Sequence, residues 1–183
     1  MQRVAPETPT AANQRWAMDF VHDSLAGGSS IRVLTVLDVF ARECVGLEAG
    51  VGFRGEDVAR ILMRAREGRG ALPELISVDN GTEFTSRALD HGANGNQVKL
   101  DFSRPGKPTD NAHIGAFNAS LRRECFSQHW FLTLEDAQDT LNRWKDDYNN
   151  TRPHSSLGHR PPVQARGGGY RVPGPERLPN SQC

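Results

Sequence analysis

The spacing of apolar residues in this 183-residue chain changes near residue 55, and that change restricts the fold more than any other feature of the sequence. Before it, three apolar segments follow one another with short links, at residues 16–21, 31–37 and 43–49. Alternating or continuous apolar runs of this length are typical of β-strands. Three such strands in succession predict an antiparallel meander, with the less apolar third strand at an edge.

After residue 55, helical and strand patterns alternate. Residues 58–65 carry a helical apolar face, and Gly68 is the predicted end of that helix. A short buried strand at residues 75–78 is followed by a short helix that begins near Ser86, and residues 98–102 alternate as a fifth strand. A loop that contains two prolines is predicted next, around residues 104–108.

Two helices are predicted after this loop. The first buries Ile114, Phe117, Leu121 and Cys125, and the second begins at Thr133, which forms a capping box with Asp136. The second helix is predicted to bury Leu134, Ala137, Leu141 and Trp144. A meander followed by alternating helices and strands predicts an α/β fold with a five-stranded mixed sheet flanked by helices.

Composition limits the classes of protein that fit this chain. It has 22 basic and 22 acidic side chains, with 37% apolar residues and three scattered cysteines. These values indicate a globular protein without a disulfide framework, and no apolar run approaches the roughly 18 residues of a membrane span. The start lacks the apolar segment of a secretory signal. Zero net charge initially argues against a nucleic-acid partner.

The chain divides into three parts by composition. Residues 1–13 are polar and are predicted to be a flexible lead-in. Residues 14–162 carry the folding signals and form the predicted core. Residues 163–183 are rich in glycine and proline, and predict a disordered tail.

Two acidic residues lie where ligand sites form in such sheets. Asp19 interrupts an apolar strand, and Asp79 ends one directly before a glycine turn. The plainer interpretations are a solvent-facing position for Asp19 and an Asx turn for Asp79. Together, the two carboxylates favour a site for a hard cation such as Mg²⁺.

Three longer motifs carry a resemblance to a known family. They are Asp79-Asn80-Gly81-Thr82-Glu83-Phe84, the segment from Ser103 to Ala112 that reads SRPGKPTDNA, and Tyr148-Asn149 followed by the segment from Arg152 to Gly158. With the strand around Asp19, these motifs resemble the integrase core of bacterial insertion-sequence transposases of the OrfB type, relatives of retroviral integrase. The resemblance covers residues 13–162.

The resemblance implies a ribonuclease H-like fold and a DDE site, in which three carboxylates hold two Mg²⁺ or Mn²⁺ ions. It implies phosphodiester hydrolysis at transposon ends and strand transfer into target DNA. The implied partners are DNA, further copies of the chain in a homodimer or higher assembly on DNA, and an upstream helix-turn-helix subunit. The implied location is the bacterial cytoplasm, in association with the nucleoid.

The third acid of that site is missing. The family's glutamate falls on Gly115, which follows Asp79 after the 35-residue spacing of the family. Glu124 lies about 180° around the helix and roughly 13.5 Å along it, so it faces away. Asp110 is near the helix start, where capping is its expected role. We therefore expect Asp19 and Asp79 to be the remaining metal ligands.

Further residues are assigned by position. Lys107 lies in the loop that touches DNA in the family, and Asn118 and Arg122 share the helix face of Gly115, so all three are candidate DNA contacts. The alternatives are a solvated loop lysine and a plain exposed polar face. His113 and His154 are interpreted as structural, Glu83 is not expected to bind metal, and Trp130, Phe131 and Trp144 are expected in the core or an interface.

The predicted function is a transposase core, impaired by the loss at position 115. The alternatives are an inactive DNA-binding remnant or inhibitory partner of an intact transposase, and a metal-dependent nuclease that works with two carboxylates. A catalytic core needs acids at its centre and bases around it, so zero net charge is compatible with DNA. It predicts that the core alone binds DNA weakly.

Overall fold

The computed structural model describes residues 8–104 and 111–167, which form a five-stranded sheet with helices on both faces. The sheet has the order β3-β2-β1-β4-β5, in which β1, β2 and β3 are antiparallel and β4 and β5 run parallel to β1. The predicted mixed sheet and its edge strand are therefore confirmed. Its strands are β1 (Arg15–Ser24), β2 (Ser30–Asp38), β3 (Cys44–Gly50), β4 (Leu75–Val78) and β5 (Lys99–Phe102).

In the described residues, four helices follow the predicted order, and a fifth, short helix comes after them. They are α1 (Gly55–Arg69), α2 (Arg87–Gly95), α3 (Ala112–Glu124), α4 (Leu134–Asn150) and the short α5 (Pro162–Arg166). Helix α1 ends later than predicted, because its cap is Gly70 and not Gly68. Gly70 adopts a left-handed conformation with φ of 76°, which glycine adopts without steric cost.

The start of α4 differs in detail from the predicted capping box. The Thr133 hydroxyl accepts a hydrogen bond from the Asp136 amide at 3.1 Å, as expected. The Asp136 carboxylate, however, accepts from the amide of Leu132 and not from that of Thr133. The reciprocal half of the box is thus shifted by one residue, and Leu134 is only partly buried.

Two apolar clusters fill the space on either side of the sheet. One joins β1 and β2 to α3 and α4, and includes Ala17, Val21, Ile114, Phe117, Leu121 and Leu141. The other joins the opposite faces of the same strands to α1 and α2, and includes Trp16, Met18, Val58, Ile61 and Leu89. Successive residues of β1 point to opposite faces, so Asp19 lies on the α3 side.

Parts of the predicted lead-in and tail belong to the folded body. Asn13 accepts hydrogen bonds from Trp16 and Arg69, so the last residue of the lead-in is fixed. Residues 163–166 form most of α5, in which Ala165 is buried, so the disordered tail is predicted too early. Residues 1–7 and 168–183 lie outside the described part. Of the helices in the described residues, none is long and apolar enough to cross a membrane.

Candidate active site

The register of β1 and β4 places Asp19 and Asp79 side by side. The last recorded pair of these parallel strands is Ala17 with Ser77, and both aspartates come two residues further along. Neighbouring strands are about 4.8 Å apart, so the two carboxylates meet at the end of β4. The sequence prediction that these acids share one site therefore agrees with the geometry.

The Asp19 carboxylate is half-buried and held from two directions. Its Oδ1 accepts from the Phe20 amide at 2.8 Å, and its Oδ2 accepts from the side-chain amide of Asn118 at 2.9 Å. Burial raises the pKa of Asp19 above its usual value, and the charge of Asp79 raises it further, whereas both hydrogen bonds and the charge of Arg122 lower it. A cation between the aspartates would relieve this repulsion.

Asp79 is fixed by the turn that follows it. Its Oδ1 accepts from the Gly81 amide at 2.8 Å, which is the Asx turn considered as its plainer interpretation. The turn does not exclude metal binding, because carboxylate ligands of metals are commonly held by hydrogen bonds of their own.

Asn118 belongs to the support of Asp19. Its side chain is buried, its Nδ2 donates to Asp19, and its Oδ1 accepts from the Thr35 hydroxyl at 2.9 Å. The expectation of an exposed residue that contacts DNA is therefore wrong for Asn118. The apolar positions Ile114, Phe117 and Leu121 bracket residue 118 at helical spacing, and that signal in the sequence indicates burial.

Position 115 lies one helical turn before Asn118, on the side of α3 that faces the aspartates. A side chain there would have room, because a Cβ on Gly115 has no atom within 4 Å among the described residues. Within residues 8–104 and 111–167, no three His, Cys, Asp or Glu side chains form a group that could hold a metal. The structure thus brings two acids together and leaves the third position open.

The other candidates for a third acid or a DNA contact are placed as follows. Glu124 pairs with Arg152 on the far side of α3, as its helical angle predicts. Arg122 is exposed and close enough to Asp19 to lower its pKa, which fits the predicted shared face. Lys107 and Asp110 lie outside the described residues.

Glu83 forms an ion pair with Arg32 of β2, a partner that sequence reasoning did not identify. Arg32 lowers the pKa of Glu83, so this carboxylate stays charged. That Glu83 does not bind metal stays a prediction. Nothing in the sequence indicates the contact, because the two residues are 51 positions apart.

The two histidines interpreted as structural differ in burial, since His113 is exposed on α3 and His154 is half-buried. Partial burial and the charges of Arg42 and Arg15 lower the pKa of His113 to about 4, so it is neutral near pH 7. His154 packs edge-on against Tyr148, with ring centroids 4.6 Å apart. Of the aromatic residues, Phe131 and Trp144 are buried, whereas Trp130 is 86% exposed and therefore not part of the core.

The donor set fits a divalent cation. Asp19 and Asp79 present carboxylate oxygens, and Mg²⁺ commonly binds through one or two carboxylates while it keeps several waters. Two carboxylates are sufficient for one such ion. A pair of ions needs further protein oxygens, which position 115 does not supply.

Comparison with known proteins adds sequence relatives. The chain matches the family described as Integrase core domain over residues 9–108 and over residues 96–162. It is 46% identical over 156 residues to the insertion element IS407 uncharacterized 31.7 kDa protein of Burkholderia multivorans, covering 85% of this chain and 56% of that protein. It is 28% identical over 155 residues to the transposase for insertion sequence element IS904 of Lactococcus lactis subsp. lactis, covering 84% and 61%. The chain thus spans a little over half the length of these relatives.

A solved structure supports the fold. The HTLV-2 integrase catalytic core domain in complex with magnesium, in its trimeric form, aligns with a TM-score of 0.69 at 14% identity. The alignment covers 85% of this chain and 97% of that one. The predicted ribonuclease H-like fold is confirmed by this likeness and by the sheet order described above.

Proposed function

Since the chain belongs to the integrase core domain family of insertion-element proteins, we propose that it is the catalytic core of a transposase, impaired because Gly115 stands in place of the third acid. One observation carries the proposal. The Asn118–Asp19 hydrogen bond holds α3 against β1, so that the open position 115 faces the two aspartates. This arrangement supports the proposal of a three-carboxylate site that lacks one carboxylate.

In this proposal, Asp19 and Asp79 hold a divalent cation, Mg²⁺ or Mn²⁺. When bound, the cation would polarise the phosphodiester and lower the pKa of an attacking water or 3′-hydroxyl. Asn118 and the Phe20 amide orient the Asp19 carboxylate, and the Asx turn orients Asp79. Loss of the third carboxylate weakens cation binding, because a cluster with one anionic ligand fewer attracts cations less strongly.

The proposed substrate is DNA, as transposon ends and as target. Arg122 and Lys107 are the proposed phosphate contacts, and the neutral total charge implies weak, salt-sensitive binding by this core alone. Assembly of two or more copies on DNA, an upstream helix-turn-helix subunit and action at the bacterial nucleoid are part of the proposal. The likeness to the family supports these parts of the proposal.

Restoring the carboxylate tests the proposal. Gly115→Glu should raise 3′-end processing and strand transfer in Mg²⁺ or Mn²⁺ by at least about a hundredfold, as expected when a metal-bound charge cluster is completed. Ala116→Glu adds the same charge to the next exposed position of α3 and should have no effect. Equal activity of the wild type and Gly115→Glu would contradict the impairment.

A second function is favoured by the intact fold around the defective position. A folded core that assembles with DNA or with intact transposase copies, but lacks a ligand, would act as an inhibitor. Adding this chain to an intact relative should then reduce strand transfer in proportion to the amount added. Cleavage by the wild-type chain, abolished by Asp79→Asn, would instead favour the two-carboxylate nuclease.

A further inference from the structure

The turn that carries Asp79 is attached to the β1–β2 hairpin at two consecutive residues. Glu83 forms an ion pair with the guanidinium of Arg32. Phe84 stacks on Phe20, with ring centroids 5.2 Å apart and an interplanar angle of 21°. Arg32 itself lies over the Phe20 ring, 4.0 Å from its centroid. These four residues, Arg32, Glu83, Phe20 and Phe84, form a closed group that we name the Arg32 latch.

The latch joins the supports of both aspartates. Phe20 is the residue whose amide donates to Asp19, and Glu83 is four residues after Asp79 on the turn. The turn is tight, since the amides of Phe84 and Thr85 both donate to the Gly81 carbonyl, at 3.0 and 3.1 Å. A movement of Glu83 would therefore be transmitted to the Asx turn that fixes Asp79.

The ion pair of the latch differs from an ordinary surface pair. The side chains of Arg32 and Glu83 are only 24% and 15% exposed, and the buried Arg32 Nε has no hydrogen-bond partner among the described residues. The Arg32 charge is thus balanced mainly by Glu83. Partly desolvated pairs are screened less by water than exposed pairs, and they fix geometry more firmly.

The latch also controls charge beside Asp79. A methyl group on Gly81 would lie 2.9 Å from Oδ1 of Asp79 and 3.4 Å from Oε2 of Glu83, so the two carboxylates flank the same point. With Arg32 paired to Glu83, this additional negative charge is neutralised. The hydroxyl of Thr82 also donates to Glu83 at 3.3 Å, which keeps that carboxylate directed along the turn.

We propose that Arg32 is a positioning residue for the cation site: by holding Glu83, it fixes the turn that keeps Asp79 beside Asp19. This inference rests on the proposed function, because it assigns a cation to the two aspartates. Arg32 acts through Glu83 and does not touch the cation. The latch makes the position of Asp79 depend on a residue of β2, which is not adjacent to β4 in the sheet.

The test is the double variant Arg32→Met with Glu83→Gln, which removes the ion pair without changing the net charge. Its matched control is Arg64→Met with Glu48→Gln, which removes the more exposed ion pair between α1 and β3. Mn²⁺ affinity of the folded, full chain is measured by electron paramagnetic resonance. We expect roughly a tenfold loss in the latch variant, the size found for residues that orient metal ligands, and no loss in the control.

A second measurement needs no metal. Hydrogen exchange at the amides of Phe84 and Thr85 should become at least about tenfold faster in the latch variant and remain unchanged in the control. Arg32→Lys keeps a charge that reaches Glu83 but lacks the planar group over Phe20. Its Mn²⁺ affinity should therefore lie between those of the latch variant and the wild type. A structural role alone would lower thermal stability and leave the affinity unchanged.

The outcomes separate the latch from the proposed function. A Mn²⁺ affinity within twofold of the wild type in the latch variant overturns the inference. If the Asp19→Asn variant binds Mn²⁺ as tightly as the wild type does, the proposed cation site is overturned instead. In that case the hydrogen-exchange rates decide whether the latch fixes the turn, and unchanged rates at Phe84 and Thr85 overturn the latch.

Discussion

Two regions of this molecule bury carboxylates, and the two regions compensate the buried negative charge in different ways. Next to the start of β1, Arg69 forms ion pairs with Asp38 at the end of β2 and with Glu43. All three side chains are almost fully buried. Four residues further along β1, Asp19 faces Asp79. This pair receives hydrogen bonds from amides but no ion pair from a basic side chain within the described residues. One region contains its own cation and the other does not.

The pKa shifts express the same contrast. Burial raises the pKa of both Glu43 and Asp19. The next largest charge effect on Glu43 comes from Arg69 and lowers its pKa, whereas the neighbouring acid Asp79 raises the pKa of Asp19. An acid with a built-in partner stabilises the fold, and an acid held beside another acid is prepared to bind a cation from solution.

The largest expected effect comes from breaking the self-contained region. Arg69→Met removes the ion-pair partner of Asp38 and leaves Glu43 with Arg166 alone, and removing one partner of a buried ion pair costs about 3–5 kcal/mol. Urea denaturation should show this loss in the free energy of unfolding. The exposed Arg64→Met is the control and should cost less than about 1 kcal/mol. A similar small loss for both variants would remove the distinction between the two regions.

A smaller effect is expected where stability and cation binding are coupled. Asn118→Ala removes one hydrogen bond each from Oδ2 of Asp19 and from the buried Thr35 hydroxyl, which costs about 1–3 kcal/mol, and it should also weaken Mn²⁺ binding. Asn149→Ala is the matched control, because Asn149 is equally buried and makes two hydrogen bonds of 2.8 Å to Cys44. It should lose similar stability without loss of Mn²⁺ affinity. Equal effects of both variants on affinity would contradict the assigned role of Asn118.

The strands and the site positions are predictable from the sequence because they depend on local patterns. The apolar period predicts the strands, and both aspartates stand out beside apolar strand residues in the sequence. The observed parallel register of β1 and β4 brings them together. The end of α1 is harder to predict, because both Gly68 and Gly70 are plausible caps, and Gly70 is the one that adopts the left-handed conformation. The helix α5 is missed because five residues carry too weak a periodic signal.

Polar contacts between residues far apart in the chain cannot be predicted from the sequence patterns. Thr35 is, with Arg32, one of two polar residues within the apolar run of β2, and Asn118 lies between apolar positions of α3, so each is individually unusual. Their contact joins residues 83 positions apart, and the Arg32–Glu83 pair joins residues 51 apart. Such pairs depend on how the helices lie on the sheet, which no local pattern specifies.

The smallest expected effect concerns the pH dependence of the cation-free protein. Because the pKa of Asp19 is raised in the folded state, its carboxyl binds a proton at a higher pH when folded than when unfolded. Folding is therefore favoured as the pH falls toward the usual aspartate range, and this gain is lost as the pH rises through the raised pKa. Relative to Asp19→Asn, the wild type should gain stability on acidification, by less than about 1 kcal/mol because water screens the site.

Mg²⁺ distinguishes this gain from that of Glu43, whose pKa is also raised. A cation that binds the ionised aspartates stabilises the folded protein more at neutral pH than at acidic pH, so millimolar Mg²⁺ should cancel or reverse the Asp19 contribution. Thermal unfolding of the wild type and of Asp19→Asn at pH 5 and pH 7, with and without Mg²⁺, measures this directly. If Mg²⁺ changes the pH dependence of both proteins equally, the cation acts elsewhere, and the two carboxylate regions differ only in their internal partners.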